Sequence, residues 1–279
     1  MDYKIVVDSC GELTREMKES GIFVTASLSM LVNGVNIVDD QTFDQADFLK
    51  RVAESQECPR SSCPSPEEYM SLYSCDVKRV YAVTLSSELS GSYNSAELGS
   101  RLFREENPEK KIHVFNSKSA SVGETLIALK IRECEEKHMS FEEVVRCVEN
   151  YIEEQHTYFV LENLDVLRKN GRLTGIKSFV ASALNIKPVL GSTPQGTICQ
   201  LGQARGMKKA LAKMVDRIAQ EAKGVENKIL AISHCNCPER AKTVERMLLE
   251  RLPVKSSFII DTAGISTMYA SDGGVIVVL

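Results

Sequence analysis

The sequence predicts an α/β protein made of two α/β domains, the first with a mostly parallel sheet that carries helices on both faces. Three observations predict this fold class. Short apolar runs alternate with helix-like patterns through the first half of the chain, as in βαβ units. The length of 279 residues suits one large domain or, better, two. The pattern restarts near Thr157 without a low-complexity linker, so we place the domains at residues 1–156 and 157–279.

The first domain is predicted to alternate strands and helices, with one hairpin inserted. Asn33-Gly34 between alternating apolar residues is the strongest short hairpin signal. Ser65 followed by Pro66 and Glu68 predicts a helix start, and Ser140 predicts another. The predicted elements are strand Tyr3–Val7, a helix near Thr14–Glu19 ended by Gly21, hairpin strands Ala26–Val32 and Val35–Val38, helix Gln45–Ala53, a helix after Ser65, strand Val80–Leu85, helix Ser92–Phe103, strand Ile112–Phe115, helix Glu124–Glu136 and helix Phe141–Glu154.

The second domain is predicted to continue with strands and helices of similar length. Pro188 interrupts one strand, which indicates a sheet edge or a segment that faces a ligand. The predicted elements are strand Tyr158–Leu161, helix Ile176–Leu184, strand Asn185–Leu190, a turn at Gln195-Gly196, helix Lys208–Lys223, strand Ile229–Ser233, helix Glu239–Leu252, strand Ser256–Ile260 and a final strand within Gly274–Leu279.

Composition narrows the classes of function. With a formal net charge of −4, the chain lacks the excess of basic residues that is typical of a nucleic-acid-binding protein. No apolar run approaches the roughly 18 residues of a membrane span, and Met1-Asp2-Tyr3-Lys4 leads directly into a strand. We therefore expect a cytoplasmic protein, a monomer without nucleic-acid partners, whose nine cysteines are reduced. His234-Cys235-Asn236-Cys237 offers soft metal ligands but no second pair, so we expect a polar loop there and no metal.

Hydroxyl-rich stretches stand where α/β proteins bind small anionic ligands. They are Asp8-Ser9-Cys10, Ser61–Glu68 and Ser86–Tyr93. The first and third directly follow predicted strands, and ligands in open α/β sheets lie outside the carboxyl ends of strands, against helix N-termini. So many serine side chains indicate a concave binding site, a cup whose hydroxyls form hydrogen bonds with the ligand. The alternative is that they cap helices and fill loops.

Other polar residues leave two interpretations open. Asp8 suits a phosphotransfer aspartate, or an aspartate that accepts hydrogen bonds from loop N–H groups. Arg172 and Arg205 each follow a glycine-containing turn and suit bidentate pairing with a carboxylate or phosphate, or surface salt bridges. The sequence contains no G-x-S-x-G elbow, dinucleotide fingerprint or P-loop. A serine-dependent hydrolase or a phosphotransferase acting on a small carboxylic acid is the competing functional hypothesis.

Taken in order along the full length, these stretches resemble the DegV family. The markers are Ile5-Val-Val-Asp-Ser9, Ser61-Ser-Cys-Pro-Ser65, Leu85-Ser-Ser-Glu-Leu-Ser-Gly-Ser-Tyr93, Asn116-Ser117 with Gly123, Asn170-Gly-Arg172, and Leu184-Asn-Ile-Lys-Pro-Val-Leu190 with Gly196 and Arg205. The resemblance implies two α/β domains that hold one long-chain fatty acid between them. It further implies a FakB-type carrier, without catalytic residues or cofactor, that presents the carboxylate to the fatty acid kinase FakA for phospholipid synthesis.

The resemblance also implies which residues bind the fatty-acid carboxylate. They are Ser61, Ser62, Ser90, Gly91 and Tyr269. Tyr269 stands where the family commonly has a histidine, so a neutral phenol replaces a group that can carry a positive charge. Arg172 matches the arginine of the family's Gly-Arg turn. With Arg205 it is expected to face the kinase or to pair with an anion.

Overall fold

The protein is described from a computed structural model that covers residues 2–173 and 185–279. The helix expected at Ile176–Leu184 lies outside the described residues. The strands are β1 Tyr3–Asp8, β2 Phe23–Ala26, β3 Ser29–Val32, β4 Val35–Val38, β5 Arg60–Ser62, β6 Arg79–Thr84, β7 Lys111–Asn116, β8 Thr157–Val160, β9 Ile186–Ser192, β10 Ile198–Arg205, β11 Ile229–His234, β12 Ser256–Asp261 and β13 Val275–Val278.

The described helices match most of the predicted ones to within a few residues. They are α1 Arg15–Glu19, α2 Gln45–Glu54, α3 Pro66–Tyr73, α4 Ser92–Glu106, α5 Val122–Glu136, α6 Phe141–Glu153, α7 Asp165–Lys169, α8 Met207–Glu221, α9 Pro238–Leu249 and α10 Gly264–Ala270. Ser65 and Ser140 both form capping boxes, as predicted. Helix α10 was not predicted, because its sequence contains neither charges nor a polar cap. Within the described residues, no helix has the length and apolar composition needed to cross a bilayer.

The first sheet has strand order β2-β1-β6-β7, and every pairing in it is parallel. Successive side chains of a strand point to opposite faces, so Ile5 and Val7 of β1 pack against α1, α5 and α6. Val6 faces the other way and packs with α3 and α4. The predicted parallel sheet with helices on both faces is therefore confirmed.

A small antiparallel sheet of order β4-β3-β5 lies beside the parallel sheet. Its hairpin turns at Asn33 and Gly34, which both have positive φ (49° and 75°), as the primed turn requires. The predicted extension of β3 back to Ala26 is wrong, because Ala26 ends β2 in the parallel sheet. Strand β5 was not predicted, since three residues carry no usable alternation.

The second large sheet has strand order β10-β9-β8-β13-β11-β12 and is mixed, with β11 and β12 parallel and the other pairs antiparallel. Helices α8 and α9 cover one of its faces. Strand β9 is not at the sheet edge, but it pairs with β8 only through Leu190 and Gly191. Pro188 lies beyond that pairing, so no hydrogen bond to β8 is lost there.

Helix α5 packs against both large sheets. Ile127 and Ile131 join the core under the parallel sheet, whereas Val122 and Leu126 contact Ala231 and Val278 of the six-stranded sheet. A helix that is apolar on most sides is buried on most sides. Strands before residue 117 build the parallel sheet and the small antiparallel sheet, and strands after residue 156 build the mixed sheet. The domain division at 156 stays a prediction.

Candidate functional site

An apolar cavity lies between the loops that follow the strands of the parallel sheet and the face of the mixed sheet opposite α8 and α9. It holds about 760 Å³ of space free of protein atoms, part of it open to solvent. The apolar wall combines side chains from both halves of the chain: Cys10, Leu85, Leu89, Ala120, Phe159, Leu161, Leu167, Ile198, Ile265, Ala270 and Ile276.

Tyr269 of α10 and Ser61 of β5 meet beside this cavity. The Tyr269 ring lines it, and its hydroxyl lies 2.9 Å from Ser61 Oγ. Ser61 pairs with Met30 of β3, so the two side chains lie on the same, inward-facing side of the small sheet. The structure thus brings together two of the predicted carboxylate-binding residues, which are 208 positions apart in the chain.

Ser62 points away from the cavity. It pairs with Ser29, and the two hydroxyls form a 2.8 Å hydrogen bond on the exposed face of the small sheet. Adjacent residues of a strand face opposite sides, so Ser61 and Ser62 do not share a site in this arrangement. The carboxylate-binding role of Ser62 stays a prediction.

Ser90 and Gly91 lie in the loop between β6 and α4. Ser90 Oγ accepts a hydrogen bond of 3.2 Å from the Ser92 N–H, and Gly91 is exposed at the start of the helix. A Cβ atom on Gly91 would come within 3.3 Å of Cys63 Sγ. The second and third serine-rich stretches are therefore in contact, as a shared cup requires.

The two candidate arginines occupy different environments. Arg172 lines the cavity, is half-buried, and donates from Nε to the Leu89 carbonyl at 3.0 Å. Arg205 is exposed at the end of β10 and does not line the cavity. Only Arg172 is placed to interact with a ligand in the cavity.

Comparison with known proteins settles the family. A family model described as DegV, uncharacterised protein, matches residues 2–278. The chain belongs to the DegV family. A DegV domain-containing protein of Streptococcus pneumoniae is 32% identical over 279 residues, covering 99% of this chain and 98% of that protein. The resemblance inferred from the serine-rich stretches is confirmed.

Solved structures of DegV proteins share this fold over their whole length. A DegV-family protein from Ruminococcus gnavus, refined with vaccenic acid, is 64% identical, with a TM-score of 0.98 and 100% coverage of both chains. The fatty acid kinase B3 protein of Streptococcus pneumoniae, loaded with linoleic acid, is 30% identical, with a TM-score of 0.88 and coverage of 100% and 99%. The two-domain α/β fold class is thereby confirmed.

In the first hydroxyl-rich stretch of this DegV chain, Asp8 and Ser9 bind groups of the protein itself, whereas Cys10 lines the cavity. Asp8 is completely buried and accepts hydrogen bonds from the N–H groups of Cys10 (3.1 Å) and Leu85 (2.9 Å) and from the Ser92 hydroxyl (2.7 Å). Ser9 Oγ accepts from the Leu28 N–H at 3.0 Å. Of the two interpretations of Asp8, the aspartate that accepts loop hydrogen bonds matches these contacts. Complete burial disfavours a phosphoryl acceptor.

Three further buried carboxyl groups surround this stretch, and sequence reasoning did not single them out. Glu12 Oε2 accepts from the Ser121 hydroxyl at 2.8 Å, and Ser121 Oγ lies 2.7 Å from Ser233 Oγ of the mixed sheet. Burial raises the pKa of Glu12 to about 7. Burial, followed by the charge of Asp8, raises the pKa of Glu124 well above its usual range. Nothing in the local spacing of these acids signals their burial.

Asp39 is the third of these groups and holds α10 in place. Its two carboxylate oxygens accept from the N–H groups of Gly264 and Ile265, each at 2.8 Å. Burial raises the pKa of Asp39 to about 6, against the lowering effect of these N–H groups. Because α10 carries Tyr269, Asp39 sets the position of the cavity wall near Ser61.

The His234–Cys237 segment connects β11 to α9, as expected for a polar loop. His234 Nδ1 lies 3.3 Å from both the Cys237 N–H nitrogen and Asp261 Oδ1. Across residues 2–173 and 185–279, no three His, Cys, Asp or Glu side chains are grouped closely enough to hold a metal ion.

Proposed function

We propose that this DegV protein binds one long-chain fatty acid between its two domains, at residues 1–156 and 157–279. The apolar cavity, with Tyr269 and Arg172 in its wall, carries the proposal. This cavity suits a ligand that consists of an extended apolar chain with one anionic end. The solved relatives that hold vaccenic and linoleic acids support the same ligand class.

The division of binding energy follows from the chemistry of such a ligand. Each buried methylene contributes about 0.8 kcal/mol, so a chain of ~14 methylenes contributes roughly 11 kcal/mol before the costs of ordering. A hydrogen bond to a charged group contributes only about 1.5–3 kcal/mol. The apolar wall therefore retains the ligand, and the hydroxyls of Ser61, Ser90 and Tyr269 determine where the carboxylate lies.

We further propose that the protein is a cytoplasmic carrier, and not itself an enzyme, that presents the carboxylate to a FakA-type kinase for acyl-phosphate formation. The 30% identical relative that is a fatty acid kinase B3 protein supports this partnership. Gly91 is exposed and Ser61 and Ser90 are half-buried. A carboxylate held by these residues is close to the protein surface, where a partner's active site can reach it.

Native mass spectrometry of the purified protein tests the binding step. We expect a mass increment of one long-chain fatty acid, which disappears on delipidation and returns on addition of palmitate. A purified protein without this increment, which also fails to take up palmitate, would contradict the proposal.

A kinase assay tests the presentation step separately. With ATP and a FakA-type kinase, acyl phosphate should form only when the loaded DegV protein is present, and the DegV protein alone should form none. Lipid binding without stimulation of the kinase would keep the carrier role and refute the kinase partnership.

A further inference from the structure

The loop that carries Ser90 is attached at both ends to a single buried oxygen atom. We call residues 85–92 the serine loop. Asp8 Oδ2 accepts from the Leu85 N–H at its beginning and from the Ser92 hydroxyl at its end, at 2.9 Å and 2.7 Å. Asp8 is 0% exposed, so no water competes for these two donors.

A second contact links the end of the loop that is bonded to Asp8 with the Ser90 hydroxyl. The Ser92 N–H donates to Ser90 Oγ at 3.2 Å. A hydroxyl group has one proton to donate and two lone pairs. Accepting from Ser92 does not use the Ser90 proton, which has no acceptor among the described residues and is left for one outside the protein. A carboxylate is such an acceptor.

The surroundings of Asp8 act on its ionisation in two opposite directions. Burial raises the pKa of Asp8, and the donors Ser92 O–H, Leu85 N–H and Cys10 N–H act against this rise by favouring the ionised carboxylate. Glu124 is completely buried as well, and burial, followed by the charge of Asp8, raises its pKa well above the usual range. Tyr69 adds support from α3, with its hydroxyl 2.8 Å from Ser92 Oγ.

We propose that Asp8 is a positioning residue for the ligand headgroup: by fixing both ends of the serine loop it orients the Ser90 hydroxyl toward the carboxylate. The role rests on the proposed function, since it concerns the same ligand. Asp8 itself touches no ligand. Its contribution is the discrimination between an anionic and a neutral headgroup on the same acyl chain.

The test compares palmitate with 1-hexadecanol, which has the same chain length and no charge. Asp8→Asn replaces the carboxylate by a neutral amide, so the bonds from Leu85 N–H and Ser92 O–H lose their charged acceptor and weaken even where the amide oxygen accepts both. We expect the preference for palmitate over hexadecanol to fall by roughly tenfold, the equivalent of one hydrogen bond to a charged group. Hexadecanol affinity should stay unchanged. The carboxyl resonance of bound [1-¹³C]palmitate should move as it does in Ser90→Ala.

Two further variants keep the test decisive. Ser92→Ala removes the loop's hydroxyl donor but leaves Asp8 bonded to Cys10 and Leu85, and should reproduce the loss of preference even if Asp8→Asn does not fold. Tyr73→Phe is the matched control. It deletes a buried 3.1 Å hydrogen bond to the Ala96 carbonyl elsewhere on α4, so it should lower stability and leave the preference and the resonance unchanged.

The outcomes separate the two proposals. If the parent prefers palmitate and both loop variants keep that preference, the positioning role of Asp8 is wrong and fatty-acid binding stands. The role is also wrong if Tyr73→Phe loses the preference equally, because general destabilisation then explains it. A parent that binds neither ligand overturns the proposed function together with this role.

Discussion

Glu12 makes the stability of this protein depend on pH in a direction opposite to that of a salt-bridged acid. Its side chain is buried, and Oε1 has no hydrogen-bond partner among the described residues. Replacement by glutamine retains a carbonyl that accepts from Ser121 and removes the ionisation. Glu12→Gln therefore isolates the contribution of one buried charge at the junction between the two sheets.

The magnitude follows from the pKa of Glu12, which burial raises from 4.5 to about 7. At 1.36 kcal/mol per pKa unit, the difference corresponds to about 3 kcal/mol. The folded state binds the proton more tightly than the unfolded chain, so the stabilisation is fully present below pH 4.5. It is lost as the pH rises through 7. In Glu12→Gln this pH-dependent part should be absent.

Urea unfolding of delipidated protein from pH 4 to pH 8 measures the effect, because bound ligand would itself stabilise the fold. We expect the free energy of unfolding of the parent to fall by about 3 kcal/mol more than that of Glu12→Gln across this range. Other buried acids titrate in both proteins and cancel in the comparison. Parallel curves for parent and variant would refute the reasoning, since Glu12 would then ionise alike in the folded and unfolded states.

Four further predictions concern the bound ligand and its presentation. Ser90→Ala should weaken palmitate binding roughly 10- to 100-fold without abolishing it, by calorimetry, and equal affinity would remove Ser90 from the headgroup contacts. Tyr269→Phe should cost about 1.5–3 kcal/mol of binding with the fold retained, and its headgroup role fails if affinity is unaltered. Arg172→Ala should lower the lipid content seen by native mass spectrometry, because its bond to the Leu89 carbonyl at 3.0 Å is lost. Arg205→Ala should keep the lipid and reduce only acyl-phosphate formation with the kinase; loss of lipid there would contradict its exposed placement.

The sequence predicted the alternating architecture well because the signals are local. Asn33-Gly34 and the capping serines Ser65 and Ser140 each act within a few residues, and all three are found in the structure. The short strand β5 and helix α10 escaped prediction because long-range packing stabilises them. Helix α10, for example, is capped by Asp39, 225 residues before Gly264.

The candidate site was predictable in outline and not in detail. Ser61 and Ser62 are equivalent in sequence, and only the pairing of β5 with β3 determines which of them faces Tyr269. The buried acids were not predictable for a related reason. Ser121 and Ser233 approach Glu12 from positions more than a hundred residues away, so its burial depends on the finished fold.

The position of β13 has a consequence for the order in which the molecule can assemble during synthesis. This strand follows every other strand in the chain, yet it lies in the middle of the mixed sheet, between β8 and β11. The parallel sheet has its last strand by Asn116 and its covering helices by Glu153, so it can form while translation continues. The mixed sheet stays in two separate halves until residues 275–278 leave the ribosome. A nascent chain stalled shortly before that point would expose the unpaired edges of β8 and β11, which are templates for pairing with other chains.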